Sequence, residues 1–228
     1  MAYILSLETA TQTCSVALHH DEKLLAVQDF HLDKSHSSIL HPLIRDMLRY
    51  CELEQEALDA VAVSMGPGSY TGLRIGTSAA KGLCFALDLP LIAVNTLEAM
   101  ALGVQRYNTH AAWLCPMLDA RRMEVYCLLQ DAEGQKQMET TPLIVEEDSF
   151  AEQLTDHDIL FFGNGSDKAR PLLQKHARSH FMAGIQPSAQ WIGQLALSKY
   201  QSQEFEDLAY FVPFYLKEFQ GTTPKKGL

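Results

Sequence analysis

Two carboxylates stand at the ends of predicted strands, at equivalent places in the two halves of the chain. Glu8 follows an apolar run over residues 3–7, and Asp119 follows a similar run over residues 113–118. Carboxylate oxygens are hard ligands that suit Mg²⁺, so the pair could hold Mg-ATP across a cleft between two domains. A solvated acid at a strand end is the alternative. Because threonines supply the other polar groups beside Glu8, hydrolysis is not predicted.

A glycine-rich loop separates a predicted strand from a predicted helix. From residue 66 it reads Gly-Pro-Gly-Ser-Tyr-Thr-Gly. Backbone amides in such a loop, ahead of a helix N-terminus, can bind a phosphate. The loop lacks both the Gly-Lys-Ser/Thr ending of a P-loop and the spacing of a dinucleotide fingerprint. Close packing of small residues is the commoner alternative. The residues of this candidate degenerate nucleotide or anion loop are Gly66, Gly68, Ser69, Thr71 and Gly72.

Histidine and cysteine spacing predicts no metal site. The closest histidines are His31, His36 and His41, and residues five apart on a helix lie about 140° apart around its axis. Chelation from a helix needs spacings of three or four. The five cysteines include no Cys-x-x-Cys, so reduced thiols are expected. No local signature of a serine nucleophile or a metallopeptidase occurs. Neither a metal nor a cofactor is predicted.

Composition places the chain among globular proteins. Of 228 residues, 47% are hydrophobic and 20% are charged, which is enough apolar surface to form a core. The net charge of −10 opposes nucleic acid, because that affinity comes from Lys and Arg; any nucleic acid must be held largely by a partner. Lys225 and Lys226 make the C-terminal tail locally basic, as expected of a solvated end. The start resembles neither a signal peptide nor a membrane span, and a cytoplasmic protein is expected.

The spacing of apolar residues predicts the same order of elements twice. Each half begins with three strands, then a helix, a strand and another helix. Predicted strands cover residues 3–7, 13–19, 24–31, 59–65, 91–94, 113–118, 124–130, 136–145 and 159–162, and predicted helices cover residues 37–50, 73–87, 147–154 and a segment that begins at residue 166.

Two local matches support an internal duplication. Leu-Glu-Thr-Ala from residue 7 matches Leu-Asp-Ala-Arg from residue 118, and Gly-Pro-Gly-Ser from residue 66 matches Gly-Asn-Gly-Ser from residue 163. We therefore predict a duplicated α/β domain with a linker near residues 101–111. The predicted domains are residues 1–103 and residues 104–228, the second with the basic tail.

Three stretches resemble the bacterial TsaB family, also called YeaZ. They are Ile-Leu-Ser-Leu-Glu-Thr from residue 4 with Cys-Ser-Val-Ala from residue 14, the glycine loop continued as Thr-Gly-Leu-Arg-Ile-Gly from residue 71, and Asp-Ala-Arg-Arg-Met-Glu-Val-Tyr from residue 119. The second and third stretches are specific to that family. The opening strand is shared with its catalytic paralogue TsaD and with other actin-like ATPases.

The resemblance implies two tandem ribonuclease-H-like domains of the actin-like ATPase superfamily, each a mixed sheet with helices on its faces. It implies a part in forming N6-threonylcarbamoyladenosine at position 37 of tRNAs that read codons beginning with A. In the family, TsaD transfers the threonylcarbamoyl group from an adenylate made by TsaC, TsaB pairs with TsaD, and the ATPase TsaE joins at their junction. This chain would be a non-catalytic subunit without strong tRNA binding of its own, able to form a homodimer when TsaD is absent.

The same resemblance implies that the partner interface lies on the first two predicted helices. We expect apolar and small residues on the exposed side of these helices to pack against TsaD. The expected contact residues are Leu40, Leu43, Ile44, Met47, Leu73, Gly76, Ala79 and Ala80.

One pair of residues bears on catalysis. The paralogue TsaD carries a metal-binding His-x-x-x-His just after the strand that follows its second helix, and here the two positions are Thr96 and Met100. A hydroxyl is a poor ligand for a hard or borderline ion, and a thioether suits other metals. The resemblance therefore argues against catalysis and against a metallopeptidase. An actin-like ATPase or phosphotransferase that uses Glu8, Asp119 and the glycine loops stays the alternative function.

Overall fold

The computed structural model describes residues 1–32 and 36–217, and its first half forms a five-stranded mixed sheet. The strands are β1 (Tyr3–Glu8), β2 (Thr13–His20), β3 (Lys23–His31), β4 (Ala60–Gly66) and β5 (Leu91–Asn95). Their order in the sheet is β3-β2-β1-β4-β5, and β1 is antiparallel to β2 but parallel to β4. The predicted basic tail, with Lys225 and Lys226, lies outside the described residues.

The second half repeats this sheet. Its strands are β6 (Trp113–Asp119), β7 (Glu124–Gln130), β8 (Lys136–Ile144), β9 (Ile159–Phe162) and β10 (Ser179–Met182). The order is β8-β7-β6-β9-β10, again with an antiparallel trio followed by parallel strands. Because both sheets share one order and one set of directions, the predicted duplicated α/β fold is confirmed.

Two helices cover one face of the first sheet. They are α1 (His36–Tyr50) and α2 (Tyr70–Leu87). Successive residues of a strand point to opposite faces, so Leu5 and Leu7 of β1 point towards these helices while Ile4 points away from them. The apolar residues of α1 recur at helical spacing and pack into the same core as Leu5 and Leu7.

The other face of the first sheet is covered by a helix from the far end of the chain. Helix α6 (Ala189–Gln201) packs on β1, β4 and β5, where it buries Ile192 and Ala196 against Ile4 and Ile92. The backbone amide of Ala189 donates to Ser15 Oγ at 2.8 Å. After α6 the chain stays on the first sheet, since Glu206 N donates to Leu91 O at 2.9 Å and Phe214 N donates to Met65 O at 2.7 Å.

A helix from the first half is buried against the second sheet in return. Helix α3 (Thr96–Gln105) follows β5 directly. Its apolar side chains Leu97, Met100, Ala101 and Val104 form one cluster with residues of the second sheet, among them Leu114, Leu118, Leu128 and Phe162. The two exchanged helices meet where Trp191 of α6 packs on Gly103 of α3.

The exchange of α3 and α6 between the two sheets corrects the domain boundaries predicted from the sequence. The predicted linker at residues 101–111 begins inside α3, and a cut between residues 103 and 104 divides that helix. A contiguous second domain also fails to describe the packing, because residues 189–214 lie on the first sheet. The two packing units are therefore assembled from both halves of the chain.

The remaining elements differ from the predictions in detail. The predicted helix over residues 147–154 is replaced by turns and the short α4 (Gln153–Asp156), because Phe150 adopts a left-handed φ of 63°. Helix α5 (Ser166–Leu173) begins where predicted, whereas β10, α3 and α6 were not predicted. Within residues 1–32 and 36–217, none of the helices is long and apolar enough to cross a membrane.

Candidate functional site

The glycine loop packs onto the turn between β1 and β2. Ser69 N donates to Ala10 O at 2.6 Å. Thr9 Oγ1 donates to Gly72 O at 2.9 Å, and Ser69 Oγ accepts from Gly72 N at 3.3 Å as the N-cap of α2. Two of the amides that could have received a phosphate therefore already have partners within the protein.

The glycines of this loop are needed for that contact. A Cβ atom on Gly68 would come closer than 3.0 Å to the carbonyl oxygen of Ala10, and one on Gly72 would come equally close to the carbonyl oxygen of Thr9. Gly66 has a φ of 112°, and its Cβ would lie 2.9 Å from Phe214 O. Thr71 stays on the surface. The geometry thus favours the packing alternative over a phosphate cradle.

Glu8 is enclosed in the first domain. Its Oε1 accepts from Ala10 N at 2.5 Å, and its Oε2 has no hydrogen-bond partner among the described residues. Burial raises the pKa of the Glu8 carboxyl to about 7, against the lowering effect of its hydrogen bonds with Ala10 and Ser64. The solvated strand-end acid expected as the alternative is therefore wrong for Glu8.

Asp119 occupies the equivalent place in the second sheet but has different surroundings. Its side chain is half exposed, and its Oδ1 is paired with the ammonium group of Lys168 and accepts from Arg121 N at 2.8 Å. Glu8 is buried, with one carboxyl oxygen bonded to the Ala10 amide, and the Asp119 carboxylate is already paired with Lys168. The two groups therefore do not form the donor set of a shared Mg²⁺ ion. The arrangement does not favour the Mg-ATP hypothesis.

Thr96 and Met100 are buried between the two halves of the chain. Thr96 is the first residue of α3, and Met100 packs in the cluster with Leu118 and Phe162. A Cβ atom on Gly163 would lie 2.8 Å from Met100 Cε, so this position is close-packed. The two positions that the sequence resemblance pairs with metal-binding histidines are buried core positions here.

The histidine cluster is held by the antiparallel trio. His36 Nε2 lies 3.2 Å from Thr13 O, and His31 Nδ1 lies 3.2 Å from Thr13 Oγ1. His41 is exposed on α1. Among the described residues, no three His, Cys, Asp or Glu side chains are placed to hold a metal ion.

The residues expected to contact a partner are turned inwards. All eight are buried in this structure, on the faces of α1 and α2 that cover the first sheet, so the expectation that they lie on the exposed side is wrong. They are Leu40, Leu43, Ile44, Met47, Leu73, Gly76, Ala79 and Ala80. The physical reason is that the first sheet has to cover its own apolar face, and these residues supply that cover.

The solvent side of the same helices forms a groove of about 690 Å³. Exposed residues from both helices line it, and Leu40 and Ala79 contribute to its floor. The sequence-based prediction did not include these lining residues. They lie on the helix faces away from the apolar residues that recur at helical spacing, and this position is the signal that could have identified them. The groove residues outside the predicted set are Ser37, His41, Tyr70, Thr71, Arg74, Ile75 and Ser78.

One end of the groove is aromatic. The Tyr70 ring packs on Tyr215 with centroids 4.7 Å apart, and the Arg74 guanidinium lies 5.1 Å from the centroid of the Tyr70 ring. Lys81, further along α2, donates to the carbonyl oxygens of Ala209 and Phe211. The segment after α6 therefore holds α2 in place beside the groove.

Comparisons with known proteins agree on one family. The family model described as TsaD, tRNA N6-adenosine threonylcarbamoyltransferase, matches residues 31–222. The tRNA threonylcarbamoyladenosine biosynthesis protein TsaB of Bacillus subtilis is 31% identical over 174 residues, which is 75% of this chain and 75% of that protein. The TsaB protein of Escherichia coli is 40% identical over 124 residues, covering 54% of this chain and 52% of that protein.

A solved structure extends the similarity to the whole fold. The structure of YeaZ from Pseudomonas aeruginosa superposes with a TM-score of 0.78 and 28% sequence identity, and the match covers 95% of this chain and all of that one. These matches and the resemblance found in the sequence indicate the same family.

Proposed function

Because the chain belongs to the TsaB family, we propose that it is a non-catalytic subunit of the complex that makes N6-threonylcarbamoyladenosine at position 37 of tRNAs that read codons beginning with A. Relatives named for this biosynthesis support a part in the pathway. The finer assignment is that the chain binds and supports the catalytic paralogue TsaD in the cytoplasm, with TsaE joining at their junction.

The groove between α1 and α2 is the observation that carries the proposal. It lies on the outer side of two neighbouring helices, and it combines apolar side chains such as Ile75 with polar ones such as Ser78. A stable pairing buries about 1,600 Å² in total, so the partner would cover the groove and the helix surfaces around it. A second copy of this chain would use the same surface when TsaD is absent.

The absence of a catalytic role is supported by what surrounds the candidate groups. Glu8 and Asp119 are each engaged within their own half of the chain, and Thr96 and Met100 are core residues. A catalytic acid or base has to reach a substrate; of these four residues only Asp119 is exposed, and its carboxylate is already paired with Lys168. Calorimetry with Mg-ATP on the isolated chain tests the alternative, and no heat of binding is expected.

A pair of serine variants tests the interface. Ser78 is exposed in the groove, whereas Ser198 is exposed on α6, on the opposite face of the first sheet. Ser78→Arg places a long charged side chain in the groove, so we expect it to abolish co-purification with TsaD of the same organism. Ser198→Arg, the matched control, should retain the complex. Retention by both variants would place the interface elsewhere.

The cellular test is the modified nucleoside itself. Depletion of this protein should lower threonylcarbamoyladenosine in tRNA, measured by mass spectrometry of nucleosides. Re-expression of the Ser198→Arg variant should restore it, and re-expression of Ser78→Arg should not. An unchanged nucleoside level after depletion would overturn the assignment.

A further inference from the structure

The turn between β6 and β7 presents two arginines to solvent. Arg121 and Arg122 are both exposed, and both adopt left-handed backbone conformations, with φ of 70° and 49°. Among the described residues, neither guanidinium takes part in an ion pair. Two long cationic side chains that form no ion pair with residues 1–32 or 36–217 are therefore gathered at one turn.

Comparison of the two halves shows why this turn is uncovered. In the first half, the glycine loop packs on Thr9 and Ala10, and so covers the turn after β1. In the second half, Gly163 and Gly165 pack on the backbone of Met117 and Leu118, before the end of β6. The equivalent loop therefore sits further back along the strand. Residues 120–122 project beyond it.

Two lysines fix the turn and neutralise its acids. The Lys168 ammonium pairs with Asp119 and donates to the carbonyl oxygens of Arg122 at 2.7 Å and Glu124 at 2.6 Å. The Lys217 ammonium pairs with the Glu124 carboxylate. The backbone of the turn is therefore held in place without any contribution from the two guanidinium groups.

The turn is a local positive charge on an acidic protein. Its two carboxylates are matched by its two lysines, so the two arginines leave a net charge of +2, whereas the whole chain carries −10. The half-buried Tyr126 stands beside this charge: burial raises the pKa of its hydroxyl, and the charges of Lys217 and Arg121 lower it. A hydroxyl donor thus accompanies the cations.

We propose that the Arg121–Arg122 turn contacts phosphate groups of the RNA backbone. The proposal rests on the proposed function, which brings the protein into a complex that acts on tRNA. Guanidinium groups match phosphate with two parallel hydrogen bonds, and phosphate contacts position a nucleic acid without reading its sequence. The net charge of −10 opposes RNA over the protein as a whole, so an exposed cationic turn is a favourable place for the RNA backbone to approach. A site of two arginines adds to binding by a partner and does not replace it.

A salt titration with two double variants tests the proposal. The complex with TsaD is titrated with an unmodified transcript of a tRNA that reads codons beginning with A, at a series of salt concentrations. The test variant is Arg121→Gln with Arg122→Gln. The control is Lys175→Gln with Arg178→Gln, which removes the same charge from exposed residues before β10, at the opposite end of the second sheet.

Each phosphate contact contributes about one unit to the slope of log affinity against log salt. We expect the test variant to lower the magnitude of that slope by about two and to weaken binding, and the control to leave both unchanged. Equal slopes for the two variants would overturn the proposal. Loss of TsaD or TsaE binding in the test variant with an unchanged RNA slope would also overturn it, and would assign the turn to an acidic protein surface.

The proposed function and this inference fail in different ways. If the wild-type chain does not co-purify with TsaD at all, the proposed function fails. The same titration is then done on the isolated chain at low salt, where the test variant must still bind the transcript more weakly than the control. Equal binding there would refute the phosphate contact independently.

Discussion

Thr9 Oγ1 donates a hydrogen bond to the carbonyl oxygen of Gly72 at 2.9 Å, and the carbonyl oxygen of Thr9 lies only 2.1 Å from the position that a Cβ atom on Gly72 would take. These two residues join the turn after β1 to the first turn of α2. Through this contact, a motif that resembles a phosphate-binding loop packs α2 against the turn after β1. It also fixes the direction of α2, one of the two helices that form the groove.

Gly72→Ala should therefore destabilise the protein, by about 1–3 kcal/mol if neighbouring backbone has to shift. Gly82 is the matched control on the same helix, because it is exposed and a Cβ atom there would meet nothing within 4 Å. Gly82→Ala should stabilise the helix by up to about 1 kcal/mol. Urea denaturation measures both free energies of unfolding. Equal effects of the two changes would show that the close approach of Thr9 does not constrain α2.

The stability of the protein should depend on pH through Glu8. Burial raises the pKa of this carboxyl to about 7 in the folded chain, above its ordinary value of 4.5. Below pH 4.5 the carboxyl is largely protonated in both the folded and the unfolded chain, so its titration does not change the free energy of unfolding. Between the two values the unfolded chain loses the proton while the folded chain keeps it, so stability falls as pH rises, and the loss is complete above about 7.

Glu8→Gln should remove this dependence, because the amide stays neutral. From pH 4.5 to pH 8, the free energy of unfolding of the wild type should fall by about 3 kcal/mol relative to the variant. Urea denaturation at both pH values measures the difference. A difference between the two proteins that stays constant across this range would show that Glu8 is ionised in the fold.

Restoring the histidine pair of the paralogue should damage the fold. Thr96 and Met100 are at most 1% exposed, so Thr96→His with Met100→His would place two imidazoles in a close-packed core. We expect a loss of several kcal/mol from overpacking and from buried polar groups. Met100→Leu, which conserves volume, should cost less than about 1.5 kcal/mol. Thermal unfolding with and without Zn²⁺ measures both. Wild-type stability of the double variant would show that the site is roomier than its contacts indicate.

The exchanged helices predict how fragments behave. A fragment of residues 1–103 lacks α6, so it would expose the face of the first sheet that carries Ile4, Ala62 and Ile92. We expect it to be unfolded alone, by circular dichroism. Co-expression with residues 104–228 should restore a folded complex, although the cut inside α3 weakens it. Independent folding of the first fragment would contradict the role assigned to α6.

Much of the fold could be predicted because strands with an antiparallel partner and helices with one apolar face leave clear periodic patterns. The strands of both antiparallel trios and helix α1 lie within a residue or two of their predicted bounds. Helix α3 was missed because it is buried on nearly all sides, with Leu97, Ala99, Met100, Ala101, Gly103 and Val104 all inaccessible. A helix without a polar face has no helical period to detect.

The candidate site was predictable in place but not in orientation. Spacing identified the apolar stripe of α1, with Leu40, Ile44 and Met47, yet it did not decide whether that stripe faces a sheet or a partner. The structure turns the stripe inwards and leaves His41, Arg74 and Ser78 facing outwards. Because a stripe looks the same in both cases, only the packing of the whole domain distinguishes them.

By itself, the sequence determined the repeated order of strands and helices, the equivalence of Glu8 with Asp119, and the motifs of the family. These follow from local spacing and from residue identity. Only the tertiary structure decided that α3 and α6 change places between the two sheets, that Gly72 meets Thr9, and that one turn is covered while its repeat at Arg121 is exposed. The reason is physical: such outcomes depend on contacts like that of Ala189 with Ser15, which are 174 residues apart, and no local pattern records which distant surface a segment will bury.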